Sequence, residues 1–385
     1  MVAREIDDEQ TVRAEQPSAR GFIGTFLALV LPTLAILIAF TIAEDPVRGD
    51  LTRVGGYSEN DYGWRATHKR FVPPLILTSY DRPHDVVIVG DSYSAYGPGQ
   101  QTDPGAYWTN HVAQLSGLSV AVINIHDMTV RGLLEHPVFR SAPPRVVVLQ
   151  IVERYVVRNL MTQAEQWVGS GFDGCPIPGP SPRVSLGRPL NVDPVAWRRD
   201  TSMEFNLART VDVMWESAWR RLGVPDRTPA RNLPLDNASF FSNAASDRLL
   251  VYDEEFEDAD WPPDRIAAAL CRLRAIQAAI EANGRTAFLF VAPPNKLTVY
   301  APHVTDFRYR DTSKLAAIYA DPHINQVRLL EPMREALRCG AIDVYLPNDT
   351  HLGTPGHEIV ARETIAAIAE LGTERMPAQA GRSRK

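Results

Sequence analysis

The chain of 385 residues is 45% hydrophobic and 22% charged, an ordinary globular balance that excludes a disordered, collagen-like or wholly membrane-embedded protein. A formal charge of -6 and an isoelectric point near 5.9 leave no basic field for a phosphate backbone and argue against nucleic acid as a partner. Cys175, Cys271 and Cys339 show no CxxC spacing, so they supply neither a disulfide framework nor a zinc ribbon, although one pair can form.

Residues 1–20 form a polar tail carrying Arg4, Arg13 and Arg20. From Gly21 to Ala43 no residue is charged, and such a run spans about 34 Å as a helix, enough to cross a bilayer. A secretory signal has a shorter apolar core of about 7–15 residues. The run therefore predicts a retained transmembrane anchor, with Thr41-Ile42-Ala43 a weak cleavage site as the alternative. Pro32 kinks it, which membrane helices tolerate. Arginines before the span, with Glu44 and Asp45 after it, orient the N-terminus to the cytoplasm and place the soluble part outside, in the periplasm of a bacterium.

Beyond the anchor, β-branched runs at Val86–Val89, Val120–Ile125, Val146–Val152, Thr286–Val291 and Ile342–Tyr345 predict buried strands. Helical patterns alternate with them at Tyr107–Leu115, Arg265–Asn283, Val327–Cys339 and Pro355–Leu371, the last with Thr354 as N-cap. This alternation predicts an α/β domain over residues 44–375 with a mainly parallel sheet, whose ligands bind beyond the carboxyl ends of the strands. The segment from Asn159 to Trp261 interrupts it: the prolines, 30 in the chain, gather between about 173 and 263, strand signals are few, and one helix is expected near Glu204–Leu222. We read it as an insertion or lid. Residues 376–385 form a basic tail.

The strand Val86–Val89 runs into Gly90-Asp91-Ser92. A serine on a sharp turn at the carboxyl end of a buried strand is placed as an exposed nucleophile; it could equally cap the following helix. Near the C-terminus stands Asn348-Asp349-Thr350-His351-Leu352-Gly353. In an extended loop residues two apart point the same way, so Asp349 can hold one nitrogen of His351 and leave the other facing outward as a general base. Convergence of the two loops at one end of the sheet would complete a triad of Ser92, His351 and Asp349. Asp-x-His and Gly-Asp also occur in two-metal phosphoesterases. Here Gly90-Asp91 is followed by Ser-Tyr-Ser-Ala-Tyr, which lacks the further ligands such a site requires, so no metal and no other cofactor is assigned.

Four segments, residues 89–94, 152–156, 294–300 and 348–353, resemble the SGNH (GDSL-like) esterase superfamily and, within it, the AlgX/AlgJ-like branch of polysaccharide O-acetyltransferases. The resemblance implies a three-layer α/β/α sandwich and the roles of nucleophile, base and orienting acid for Ser92, His351 and Asp349. Ordinary SGNH esterases complete the oxyanion hole with a glycine and an asparagine in two middle blocks, where this chain has Asn124-Ile125-His126-Asp127 and Ile151-Val152-Glu153-Arg154. Tyr93, Arg154 and Asp91 are the candidates to take over that role or to contact substrate, with a structural Glu153–Arg154 ion pair as the alternative. Its Asp-x-His follows the serine, unlike that branch. The expected function is a membrane-anchored, serine-dependent O-acetyltransferase acting on an exported polysaccharide, with a multispanning membrane acyltransferase as acyl source. A carbohydrate esterase and a catalytically silent polysaccharide-binding subunit are the alternatives. Tyr93, Tyr96 and Trp108, together with the insertion, would form the sugar groove.

Overall fold

The computed structural model describes residues 19–43, 49–95, 102–162, 195–197, 207–223, 228–310 and 313–373. Its centre is a sheet of five strands: β1 (Val86–Gly90), β2 (Val120–Asn124), β3 (Val146–Gln150), β4 (Ala287–Val291) and β5 (Gln326–Val327). All neighbours are parallel, in the order β2-β1-β3-β4-β5. Parallel strands need helical crossovers, and these cover both sheet faces, which is why the strands read as unbroken apolar runs. Val86, Ile88, Val146 and Val148 pack with Trp108, Val112, Val360 and Ile368 on one face. Val87, Val89, Val147 and Leu149 pack with Leu133, Leu273, Ile276 and Ile280 on the other. The chain is therefore α/β with a mainly parallel sheet. It leaves β1 outward to β2 and returns across it to β3, so a crevice opens between the carboxyl ends of β1 and β3.

Helices Trp108–Ser116, Pro263–Glu281 and Thr354–Thr373 fall within two residues of the sequence expectation. The fifth strand does not. Ile342–Tyr345 is not extended, because Asp343 sits at φ 56° in the left-handed region, which an extended chain cannot contain. Its carboxylate instead accepts the Ser242 N–H at 2.9 Å and hydroxyl at 2.5 Å. The edge position belongs to Gln326–Val327, which the pattern assigned to a helix start; that helix begins only at Leu330. Thr354 does not cap its own helix from outside but is its first residue, and its hydroxyl accepts the Lys69 N–H at 2.8 Å.

Within residues 159–261 two elements stand out. A helix spans Leu207–Arg221, and Ala230–Pro234 pairs with Arg248–Tyr252 as an antiparallel ladder. Leu233, Phe240, Phe241, Leu249 and Val251 of this stretch join the main core. Leu249-Leu250-Val251 is the buried apolar centre of that ladder. Cys271 is disulfide-bonded and Cys339 is an exposed free thiol; Cys175 and Tyr96 lie outside the described residues.

Helix Ala19–Ala43 is long and apolar enough to cross a membrane, with mean hydropathy 2.5 over its apolar window. Two of its hydroxyls bond inside the helix, Thr25 donating to the Gly21 carbonyl at 3.0 Å and Thr33 to that of Leu29 at 2.8 Å, as an apolar solvent requires.

Candidate active site

β1 ends at Gly90, against which Gln150 and Ser94 pack so closely that an added Cβ would lie 2.7 Å from Gln150 Oε1. The turn that follows is held by Asp91. Its carboxylate accepts the N–H of Tyr93 at 3.0 Å, Gln150 Nε2 at 2.8 Å and the N–H of Val152 at 2.8 Å. Asp91 thus ties the ends of β1 and β3 together; it is buried and does not line the pocket, so it is a positioning residue rather than an oxyanion donor or substrate contact. Ser92, between these anchored neighbours, is partly exposed, and neither its N–H nor its hydroxyl is hydrogen-bonded among the described residues.

Ser92 and His351 line one pocket of about 230 Å³, together with Asp50, Arg154, Tyr155, Tyr252 and Thr350. The loop carrying His351 folds as its i, i+2 spacing predicts. Asp349 Oδ1 accepts from the His351 backbone N–H at 2.9 Å and lies 2.5 Å from its Nδ1. His351 Nε2 is buried and without a partner among the described residues. Burial opposes the imidazolium, but the Asp349 charge outweighs it and the His351 pKa is raised. Burial likewise opposes the Asp349 carboxylate, yet the imidazolium and its hydrogen bonds bring that carboxyl down to about 2.

Sequence reasoning missed Asp50. It opens helix Asp50–Gly55, and its carboxylate accepts the Thr350 N–H at 2.8 Å and hydroxyl at 2.5 Å. Its Oδ2 lies 3.9 Å from His351 Nδ1. Burial and the neighbouring Asp349 charge raise the Asp50 carboxyl to about 6. Asp50, Asp349 and His351 bring ligand atoms within 4.8 Å of one another, a spacing that could hold a cation; here those atoms are engaged with one another and with Thr350. Behind Asp50 the loop is clamped. Glu59 accepts the Gly49 N–H at 2.9 Å and the Asn348 amide at 2.8 Å, while the Asn348 carbonyl accepts the Leu51 N–H at 3.1 Å. An added Cβ at Gly49 would meet that carbonyl at 1.9 Å, so only glycine allows this approach.

Lys296 holds the loop from the other side. Its buried ammonium donates to the carbonyls of Leu346 at 2.8 Å, Pro347 at 2.9 Å and Asp349 at 3.1 Å, and burial lowers its pKa to about 8 against the nearby acids. Removing the donor leaves the Pro347 and Asp349 carbonyls without this partner and Leu346 with only the Asp349 N–H at 3.3 Å. Lys296→Met is therefore expected to cost on the order of 3 kcal/mol, read as a lower denaturant midpoint; an unchanged midpoint would show that the loop is held without it.

Of the oxyanion candidates, Tyr93 is turned away. Its hydroxyl donates to the Thr350 carbonyl at 2.5 Å, and its ring packs 5.0 Å from that of His351. Burial raises its pKa, so it stays a neutral phenol. Arg154 does face the pocket. Its guanidinium reaches the Tyr93 hydroxyl at 3.4 Å and lies over the Tyr155 ring at 4.9 Å, while Nε is buried without a partner. Glu153 is not its partner: that carboxylate accepts the Asn295 N–H at 2.7 Å and the Ser313 hydroxyl at 2.6 Å. The expected alternative of a Glu153–Arg154 pair is thus replaced by a buried guanidinium at the pocket wall whose charge is met by Tyr93, Tyr155 and the buried Glu255. Trp108 is buried and donates from Nε1 to Ser94 at 3.1 Å, so it supports the turn rather than lining the pocket. Asn124 does not line the pocket either.

The pocket therefore brings together a hydroxyl without a partner, an imidazole oriented by a carboxylate, and a guanidinium with unused donors, a set able to perform acyl transfer. No protein-family description, curated protein or solved structure matches the chain.

Proposed function

We propose that this protein is a membrane-anchored, SGNH-type serine O-acetyltransferase that acetylates an exported polysaccharide, its domain a three-layer α/β/α sandwich outside the cytoplasmic membrane. The observation that carries the reading is the partnerless His351 Nε2 in the same pocket as Ser92, with Asp349 on the opposite ring nitrogen. In the first half-reaction His351 takes the Ser92 proton as Oγ attacks the acetyl carbonyl. The oxyanion is met by the Ser92 N–H and the Arg154 guanidinium, and the departing group takes the proton from His351. In the second, His351 deprotonates a sugar hydroxyl, which attacks acetyl-Ser92; expulsion of Oγ, which recovers its proton, restores the serine. Water in place of the sugar makes the same site an esterase.

Hydrolysis and transfer diverge only at that acceptor, so they are separated by following the acetyl group. With a labelled acetyl donor and bacterial exopolysaccharide oligomers, label is expected on sugar and to depend on Ser92. Accumulation of free acetate with every oligomer unlabelled would replace transfer by hydrolysis for those substrates. A multispanning membrane acyltransferase is the proposed acyl source, since the anchor would hold both proteins in one membrane.

A further inference from the structure

Helix Leu207–Arg221 turns its apolar side outward. At 100° per residue, Val211, Met214, Trp215, Trp219 and the adjoining Leu222 share an arc of about 140°. Met214 and Trp215 are 58% and 60% exposed, and Leu222 73%. The other side grips the domain. Val213 is buried, Glu216 packs on Gly56, and Arg220 donates to the carbonyls of Gly55 and Gly56 and stacks 3.8 Å over Tyr57. With its polar side committed in this way, the helix cannot roll to bury the stripe. A contiguous exposed apolar face of this kind marks an interaction surface.

Two observations select the occupant. The helix touches the apolar helix Ala19–Ala43, so its stripe continues a surface whose own solvent is lipid. Its composition is that of an interfacial element: Trp215 and Trp219 packed edge to face at 5.2 Å, with exposed Arg221 beside the stripe to reach headgroups. We propose that this helix lies in the membrane interface beside the anchor, its stripe covered by lipid acyl chains. Five residues separate Ala43 from Gly49, six Cα steps with a reach of about 20 Å at most. Arg220 fastens the helix to the Asp50–Gly55 element that walls the pocket. The membrane contact therefore sets the height of the catalytic pocket above the bilayer, and membrane-borne acyl donors meet it there. The inference rests on the anchor reading, not on serine chemistry.

The anchor contains no tryptophan, so tryptophan quenching from within the bilayer reports on the domain. The full chain is reconstituted in phosphatidylcholine/phosphatidylglycerol vesicles with brominated acyl chains. Its fluorescence is expected to be quenched relative to unbrominated vesicles, and W215F/W219F to lose most of that quenching. Near-ultraviolet circular dichroism verifies that the variant is folded. No quenching, or equal quenching in the variant, overturns the proposal. If the two tryptophans escape quenching and the reconstituted protein cross-links as a dimer, a second copy covers the stripe instead. Because turnover is not the readout, failure here is distinct from failure of the proposed acetyl transfer.

Discussion

Ser92→Ala is expected to reduce turnover of an acetylated model ester by roughly 10⁴–10⁶-fold, the cost of removing a serine nucleophile, while leaving the fold intact. Ser92 makes no hydrogen bond among the described residues. Its hydroxyl can therefore be deleted without orphaning a partner, and the turn stays fastened by the three bonds to Asp91. Wild-type turnover in a purified variant of unchanged circular dichroism would eliminate the acyl-serine mechanism. The residual rate should reflect what Arg154 and the Ser92 N–H still contribute to an approaching oxyanion.

Asp349→Asn tests the other half of the site, with an expected loss of about 10⁴-fold. The amide keeps the size of the carboxylate but not its charge, so the His351 ring loses the partner for the imidazolium formed during attack, and an amide NH2 turned to Nδ1 holds the ring in the wrong tautomer. The sign of the pH effect follows. His351 can accept the Ser92 proton only when neutral, and its pKa is raised in the folded protein. Activity should therefore appear as pH rises through a midpoint above the ordinary imidazole value of about 6.5. In Asp349→Asn the raising charge is gone while burial still opposes the imidazolium, so that limb moves to lower pH. Asp50→Asn should move it the same way by less, since Asp50 lies 3.9 Å from Nδ1 against 2.5 Å for Asp349. A limb that stays in place in both variants would show that neither carboxylate tunes His351.

What was legible in advance of the structure had a local cause. The strands β1 to β4 announce themselves because both faces of a parallel sheet are buried, so every position in the run is apolar. Helix Pro263–Glu281 is legible from its apolar spacing, and Ala19–Ala43 from the long uncharged run Gly21–Ala43 within it. Asp349 and His351 are two residues apart, a distance at which backbone geometry alone lets the side chains meet. Ser92 is marked by the glycine that lets its strand end against Gln150.

The remainder belongs to tertiary structure. Asp50 and Asp349 are 299 positions apart, and no periodicity links a single acid after an apolar run to a loop at the other end of the chain. Lys296 stood within a recognised segment, yet nothing local says that an ammonium will be buried under three carbonyls. Glu153 and Arg154 are adjacent and opposite in charge, which suggested a pair. Consecutive residues at the start of a helix point some 100° apart, and the fold sends Glu153 to Asn295 and Ser313 and Arg154 to the pocket. Asp343 reads as a strand residue among Ile342, Val344 and Tyr345 until Ser242 arrives from the neighbouring hairpin to hold it left-handed. Sequence alone determined strands β1 to β4, the apolar N-terminal helix and the Asp349–His351 pair, because each depends on residues close along the chain. Which buried charges surround that pair was decided only by folding, because desolvation and hydrogen bonding act between elements that covalent order keeps far apart.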